Sequence, residues 1–291
     1  MHHFTALAVT LLFFAAVTVS ASDSALDLGN HLFALGDYDA AITEYKRFLF
    51  FDADHPQAGE IQFKIGLAYR AQGWWTEAVE AMIAAVGLTT ETELQAERRV
   101  ELAVTLIASG AYNLALVELI QADMQSQSVQ LRQRARFLRG VAYLYQFKWE
   151  QARLVFQTYF DEIPSAAGTA AEIDTLFLDA LDRSQRSEKV ARLLSTFLPG
   201  LGQTYAGDWK NGLNALLLNG VLGYVTLDAA IERDYDDALL SFFFLFYRYY
   251  TGNRYRAAEA AQTFNDRENR QHVEKILQAL ATQFAQDKHR E

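Results

Sequence analysis

The stretch LGNHLFALGDYDAAITEYKRFL, Leu28 to Leu49, decides the fold because the chain repeats its pattern. A step of 37 residues links Gly29, Gly66, Ala103 and Gly140. The same step links Gly36, Gly73, Gly110 and Phe147. It links Tyr38, Trp75, Tyr112 and Trp149, then Ala41, Ala78, Ala115 and Ala152, and then Tyr45, Met82, Leu119 and Phe156. Self-similarity held in register over several columns is the mark of stacked structural units.

The residue types predict a helical hairpin for each copy. The small residue at Gly29 and its equivalents lies where a second helix crosses closely. The glycine seven residues later ends the first helix, because glycine adopts positive φ at little cost. The aromatic two residues on anchors the second helix, and the alanine three further on lets the backbones approach to about 8–10 Å. Such a hairpin cannot bury its apolar face alone, so copies stack.

Leu28–Leu49 and IGLAYRAQGWWTEAVEAMIAAV, Ile65–Val86, resemble the tetratricopeptide repeat in their Leu-Gly or Ile-Gly pair, their Gly-Asp-Tyr-like turn and their Ala-Ile or Ala-Val pair. The resemblance covers residues 22–166 as four repeats. Ala103 replaces the helix glycine in the third copy. Phe147 replaces the turn glycine in the fourth, which predicts a distorted turn. The period exceeds the family's usual ~34, so slightly longer helices or inter-repeat turns are expected. Residues 167–189 are expected to close the stack as a capping helix and linker.

In that family the first helices of successive hairpins line a groove. The resemblance therefore implies a partner site of Phe33, Phe63, Leu67, Arg70, Val104, Ile107, Phe137, Val141 and Tyr145, with Leu26, Asn30, Val100 and Leu144 beside them. The family's peptide-carboxylate clamps need lysines that do not accompany Asn30 and Arg70, so a C-terminal carboxylate is not the expected ligand. An apolar, aromatic groove suits an amphipathic helix or an extended peptide. The same side chains also read as ordinary inter-helix core.

Composition narrows the classes. The 291 residues carry a formal charge of −10, which argues against a general nucleic-acid binder. The 51% apolar content suffices for a core, and three prolines are too few for a disordered or many-turned β protein. Without cysteine there is no disulfide, thiolate metal site or cysteine nucleophile. The apolar run Ala6–Val19 followed by Val19-Ser20-Ala21 fits a secretory signal over residues 1–21, although its n-region holds histidines rather than Lys or Arg.

Composition shifts after Lys189. LNALLLNGVLGYVTLDAAI, Leu213–Ile231, has no Lys, Arg or Glu in 19 residues and would extend about 28 Å, close to the ~30 Å of a bilayer's hydrocarbon. The acidic loop ERDYDD follows, then the apolar Ala238–Tyr250, whose Tyr247, Tyr249 and Tyr250 beside Arg248 suit an interfacial belt. Residues 190–265 thus read as a membrane-associated helical domain and 266–291 as a charged amphipathic tail helix. A very apolar soluble domain is the alternative. LPGLGQTYAGDWKNG, opening this region, resembles the Pro-Gly-x-Gly-Gln-x-Tyr-x-Gly signature of small bacterial membrane domains of the TM2-like and related uncharacterised kinds. Pro199, Gly200, Gly202, Gln203, Tyr205 and Gly207 carry it. That resemblance implies architecture rather than mechanism.

The expected fold class is all-α: a tetratricopeptide helix-hairpin solenoid, then an apolar helical hairpin and an amphipathic C-terminal helix. No histidine pair beyond His2 and His3 has ligand spacing, and no GxSxG, HExxH or phosphate-loop motif is present. No cofactor, metal or catalytic residue is expected. Asp228 and Arg248 could form an intramembrane ion pair, or could lie at the interface near helix ends. The expected function is a non-enzymatic, membrane-anchored interaction scaffold of the bacterial envelope, with its repeats exported to the periplasm. Its partners would be a protein or peptide and membrane lipid, with homo-oligomers possible. Envelope assembly or membrane-protein biogenesis is the process considered. The alternative is a membrane-active or oligomerising hairpin that the repeats merely organise.

Overall fold

The computed structural model describes residues 24–163 and 167–288. The expected signal over 1–21 lies outside the described residues. Those described are helical throughout, with no strand among them. The chain divides into two compact units, Met1–Ala167 and Gly168–Glu291.

The first unit is a series of helical hairpins of the tetratricopeptide kind. Helix α1 covers residues 24–35. It is followed by α2 (Tyr38–Phe51), α3 (Ala58–Ala71), α4 (Trp75–Leu88), α5 (Thr92–Ala108), α6 (Tyr112–Gln125), α7 (Val129–Tyr145) and α8 (Trp149–Asp161). The 37-residue columns fall where the hairpin reading needs them. A Cβ on Gly29 would lie 2.8 Å from the Tyr45 ring, on Gly66 2.6 Å from Met82 Cγ, and on Gly140 2.6 Å from the Phe156 ring. The first and fifth columns are thus hole and knob of one contact between the two helices of a hairpin. In the third copy Ala103 faces the same register as Leu119, an aliphatic knob in place of a ring, and both are fully buried. Ala41, Ala78, Ala115 and Ala152 are also fully buried, where the helices cross.

The turns are uniform, including the one expected to be distorted. Gly36, Gly73 and Gly110 have φ of +79°, +77° and +81°, and Phe147 follows them at +57°. In all four the left-handed residue donates to a carbonyl three back, and the next residue donates five back: Asp37 to Leu32 O, Trp74 to Tyr69 O, Ala111 to Leu106 O and Lys148 to Tyr143 O, at 2.8–3.0 Å. This is the Schellman closure of a helix C-terminus. Phe147 keeps it at the cost of a Cβ in the left-handed region, about 1–2 kcal/mol, offset by stacking on Trp149 at 6.0 Å.

The second unit contains α9 (Ala167–Asp182), α10 (Glu188–Phe197), α11 (Leu201–Tyr205), α12 (Trp209–Ile231), α13 (Tyr235–Leu240), a π-helical segment (Ser241–Phe246) and α14 (Tyr247–Lys288). Helix α12 ends at a left-handed Arg233 with the same closure, Asp234 donating to Ala229 O at 3.0 Å. The chain then reverses, and α13 with the π-helical segment packs back along α12, Phe246 lying over Gly223. The charged tail is not a separate helix. It continues α14, which runs 42 residues without a break.

Candidate functional site

The first helices of the hairpins, α1, α3, α5 and α7, carry the residues assigned to a partner groove. Phe33, Phe63, Leu67, Arg70, Val104, Ile107, Phe137 and Val141 are half-buried, and Tyr145 is exposed. Their rings are engaged within the repeats. Phe33 meets Tyr38 and Tyr45 at 5.5 and 6.5 Å. Phe137 meets Phe156 and Tyr159 of α8 at 5.6 and 5.5 Å. Phe63 lies beneath the Arg98 guanidinium at 5.7 Å, and Tyr145 stacks on Tyr112 at 5.8 Å. Phe63, Leu67 and Ile107 border the core that α4, α5 and α6 share.

A polar ladder runs through the same helices. Arg70 of α3 donates to Glu101 Oε2 at 2.9 Å, and Arg134 of α7 donates to Glu101 Oε1 at 2.5 Å. Arg70 also reaches Thr105 Oγ1 at 3.5 Å. Burial pushes the Glu101 carboxyl up, but the hydrogen bonds and charges of Arg70 and Arg134 outweigh it and leave it below the usual carboxylate range. One step toward the N-terminus, Lys64 and Tyr45 both donate to Asn30 Oδ1, at 2.8 and 3.0 Å. Burial, with Glu60 nearby, pushes the Tyr45 hydroxyl up to about 12, so it remains a donor at any ordinary pH. Glu101, Arg134 and Lys64 were not singled out in the sequence. Their signal was that Lys64 and Glu101 share a column of the repeat, which turns a conserved geometry into alternating charge.

The glycine motif is the packing centre of the second unit. Gly200, at φ +94°, sits against α12, and a Cβ there would lie 1.9 Å from Gly212 O. Gly202 sits against α10 and α14, and its Cβ would lie 2.0 Å from Ala191 O and 2.7 Å from Ala257 Cβ. Gly207, at φ +87°, closes α11, and Asp208 then caps α12 by accepting from Asn211 N at 3.3 Å. Pro199 precedes the turn, half-buried. Gln203 is almost fully buried. Its amide oxygen accepts from Ser195 Oγ at 3.1 Å and its amide nitrogen donates to Asn253 Oδ1. The Ser195 hydroxyl in turn accepts from Gly202 N at 3.0 Å. The Tyr205 hydroxyl accepts from Ser187 N at 3.2 Å, while Arg186 covers its ring at 5.1 Å. Ser195 and Asn253, the partners of Gln203, lie outside the motif and escaped the sequence reading.

Asp228 and Arg248 are both exposed, and no ion pair joins them among the described residues. Just past the end of α9, Arg183 bonds Glu268 and lies 2.8 Å from His272 Nδ1, tying the segment after α9 to α14. Among the described residues no group of acids and histidines could hold a metal.

Helical hairpins stacked with this register define a class of fold, the tetratricopeptide-like solenoids. Among solved structures the chain is similar to a tetratricopeptide repeat protein from Parabacteroides merdae. The two share 14% identity over 89% of this chain and 99% of that one, with a TM-score of 0.46. No known family and no curated protein matches the sequence.

Proposed function

We infer that the protein is a membrane-anchored scaffold of the bacterial envelope. The repeats offer α1, α3, α5 and α7 to a helical or extended peptide, and the second unit holds them at a bilayer through α12 and the returning arm Tyr235–Tyr250. The observation that carries this reading is the exposure of α12. The helix has 23 residues, about 34 Å at ~1.5 Å per residue, and bilayer hydrocarbon is ~30 Å thick. A soluble core helix of that composition turns its apolar side chains inward. Here Leu217, Val221 and Leu227 are 58%, 60% and 63% exposed, and Phe243 and Phe244 of the returning arm are 58% and 70% exposed. Leaving a Leu or Val side chain in water forgoes about 1.5–3 kcal/mol each. Lipid is the solvent that removes this cost without further protein.

The face toward the partner is amphipathic in this reading. Leu67, Val104 and Val141 supply apolar contact, and the Arg70–Glu101–Arg134 ladder fixes register through a partner's polar groups. The repeats are exported and act by binding. Alkaline carbonate extraction of membranes from cells expressing the full chain tests the anchor. Wild type should remain in the pellet and Leu217→Lys/Val221→Lys should shift to the supernatant. Wild type in the supernatant would sink the reading. Crosslinked ladders that persist after deletion of the repeats would favour an oligomerising hairpin instead.

A further inference from the structure

Helix α10 presents an apolar stripe that its own protein leaves uncovered. Ala191 and Ser195 are fully buried, with Ala191 O and Ser195 Oγ lying against Gly202. Val190, Leu193 and Phe197, at helical spacings of three and four, lie on another face and are 40%, 56% and 80% exposed. Glu188, Lys189 and Arg192 are exposed beside them, and Arg192 is loosely held by Glu188 at 3.8 Å. The stripe continues past the helix end through Leu198 and Leu201, both exposed, on either side of Gly200. Gly200 itself is seated on α12, where a Cβ would lie 1.9 Å from Gly212 O and 3.2 Å from Leu216 N. The turn that carries Leu198 and Leu201 is thus seated on the first turns of α12, where Leu213, Leu216 and Leu217 are likewise exposed. Trp209, at the start of that helix, is 60% exposed, the kind of ring that settles at a headgroup boundary.

A helix of ten residues extends about 15 Å and cannot span a bilayer. One buried face, one apolar face and basic residues between them suit a helix lying in the plane of the interface.

We propose that α10 is an interfacial helix that docks its Val190–Leu193–Phe197 stripe on the lipid bilayer, at the level where α12 enters it. The proposal rests on the membrane reading of α12. The stripe sinks into the boundary between headgroups and acyl chains, and Lys189 and Arg192 extend their stems toward lipid phosphates. Because Gly200 and Gly202 clamp α10 to α12 and α14, docking would fix the rotation and depth of the whole second unit.

The chain lacks cysteine, so single-cysteine variants of the full protein report position without background. Leu193→Cys, Phe197→Cys, Val221→Cys and Gln271→Cys are each labelled with a polarity-sensitive fluorophore. They are reconstituted into vesicles of phosphatidylcholine and phosphatidylglycerol that carry a quencher either at headgroup depth or deep in the acyl chains. All four sites are exposed, so the labels do not disturb packing. The Leu193 and Phe197 sites should lose emission to the shallow quencher and keep it with the deep one. The Val221 site should show the reverse, and the Gln271 site should respond to neither. Quenching at Val221 with none at Leu193 and Phe197 would overturn the interfacial helix and leave the span standing; a second copy covering the stripe would give that result. Deep quenching at Phe197 would overturn it as well. Shallow quenching at the stripe without quenching at Val221 would keep the docking and overturn the span. No quenching at any site would overturn both.

Discussion

Gly66 and Gly202 are both glycines in helices, yet their neighbours differ in what they can yield. A Cβ on Gly66 would meet Met82 Cγ at 2.6 Å, and an unbranched thioether can move aside. A Cβ on Gly202 would meet the carbonyl oxygen of Ala191 at 2.0 Å, and backbone within a helix cannot move without breaking its hydrogen bonds. Overpacking typically costs about 1–3 kcal/mol. Gly66→Ala should fall near the lower end of that range and Gly202→Ala at or beyond the upper end, read as a loss of thermal midpoint. Equal losses would show that the motif glycine is not under backbone constraint. Phe147 allows a sharper test at the same scale. Phe147→Ala loses the Trp149 stack and keeps the strained φ, whereas Phe147→Gly loses the stack and removes the strain. The glycine variant should be the more stable of the two by about 1 kcal/mol, the reverse of the order inside a helix. Urea unfolding of the two variants decides it. Nothing local to Phe147 signals that a phenylalanine holds a glycine's conformation there. The repeat register identified the position, but only the backbone shows the Phe147 and Lys148 closure kept despite that side chain's preference.

Helix α14 and its contacts show what an element-level reading can and cannot recover. The helices of the repeats were legible because two signals coincided, the apolar columns and the turn glycines. Past Tyr250 the apolar character ends, and the sequence reading sets a separate tail helix from residue 266. The change is instead one of surroundings along one helix. TGNRYRAAEAAQTFNDRENRQ contains no proline and one isolated glycine, Gly252, so nothing stops the hydrogen-bond ladder. The contacts that fix this helix were illegible for a different reason: Gln203 to Asn253 and Arg183 to His272 join residues 50 and 89 apart, and no local pattern marks them. His272 gives an element-scale prediction. Burial, then the charges of Arg183 and Lys275, lower its pKa in the folded state below the ordinary value of about 6.5. The unfolded chain therefore takes up the proton first as pH falls, and the α9–α14 junction loses stability below about pH 6.5. His272→Gln should remove this dependence. Hydrogen exchange of α14 amides at pH 7.5 and pH 5 should show faster opening at the lower pH in wild type and a smaller difference in the variant. Equal differences would assign the effect to other groups.

At the scale of the whole molecule, the proposed membrane anchor makes opposing demands on which side of a bilayer each part would occupy. Arg186, Lys189, Arg192 and Lys210 precede the long apolar helix, Arg254 and Arg256 follow the returning arm, and the loop between them, Glu232 to Asp237, is acidic. Basic flanks favour the cytoplasm, which would place the acidic loop outside. The signal-like N-terminus favours export of the repeats, which would place it inside. The two disagree because α12 and the returning arm form one hairpin, so both flanks must lie on the same side if both arms cross. The returning arm is shorter than α12. The thirteen residues Ala238–Tyr250 reach about 20 Å, but the helix continues into α14 with Arg248 exposed, so the arm can reach the far boundary by extending the arginine stem. The proposed function follows export, because a secretory signal would act before the hairpin emerges, whereas loop charge only biases insertion. Single cysteines at Asp236 and Gln271, tested in intact cells whose outer membrane has been permeabilised, separate the arrangements through a membrane-impermeant thiol reagent. Export predicts labelling at Gln271 and protection at Asp236. The opposite pattern would place the repeats in the cytoplasm with the acidic tip outside. Labelling at both would mean that α12 does not cross, and the scaffold would then be held by α10 and the hairpin from one face alone.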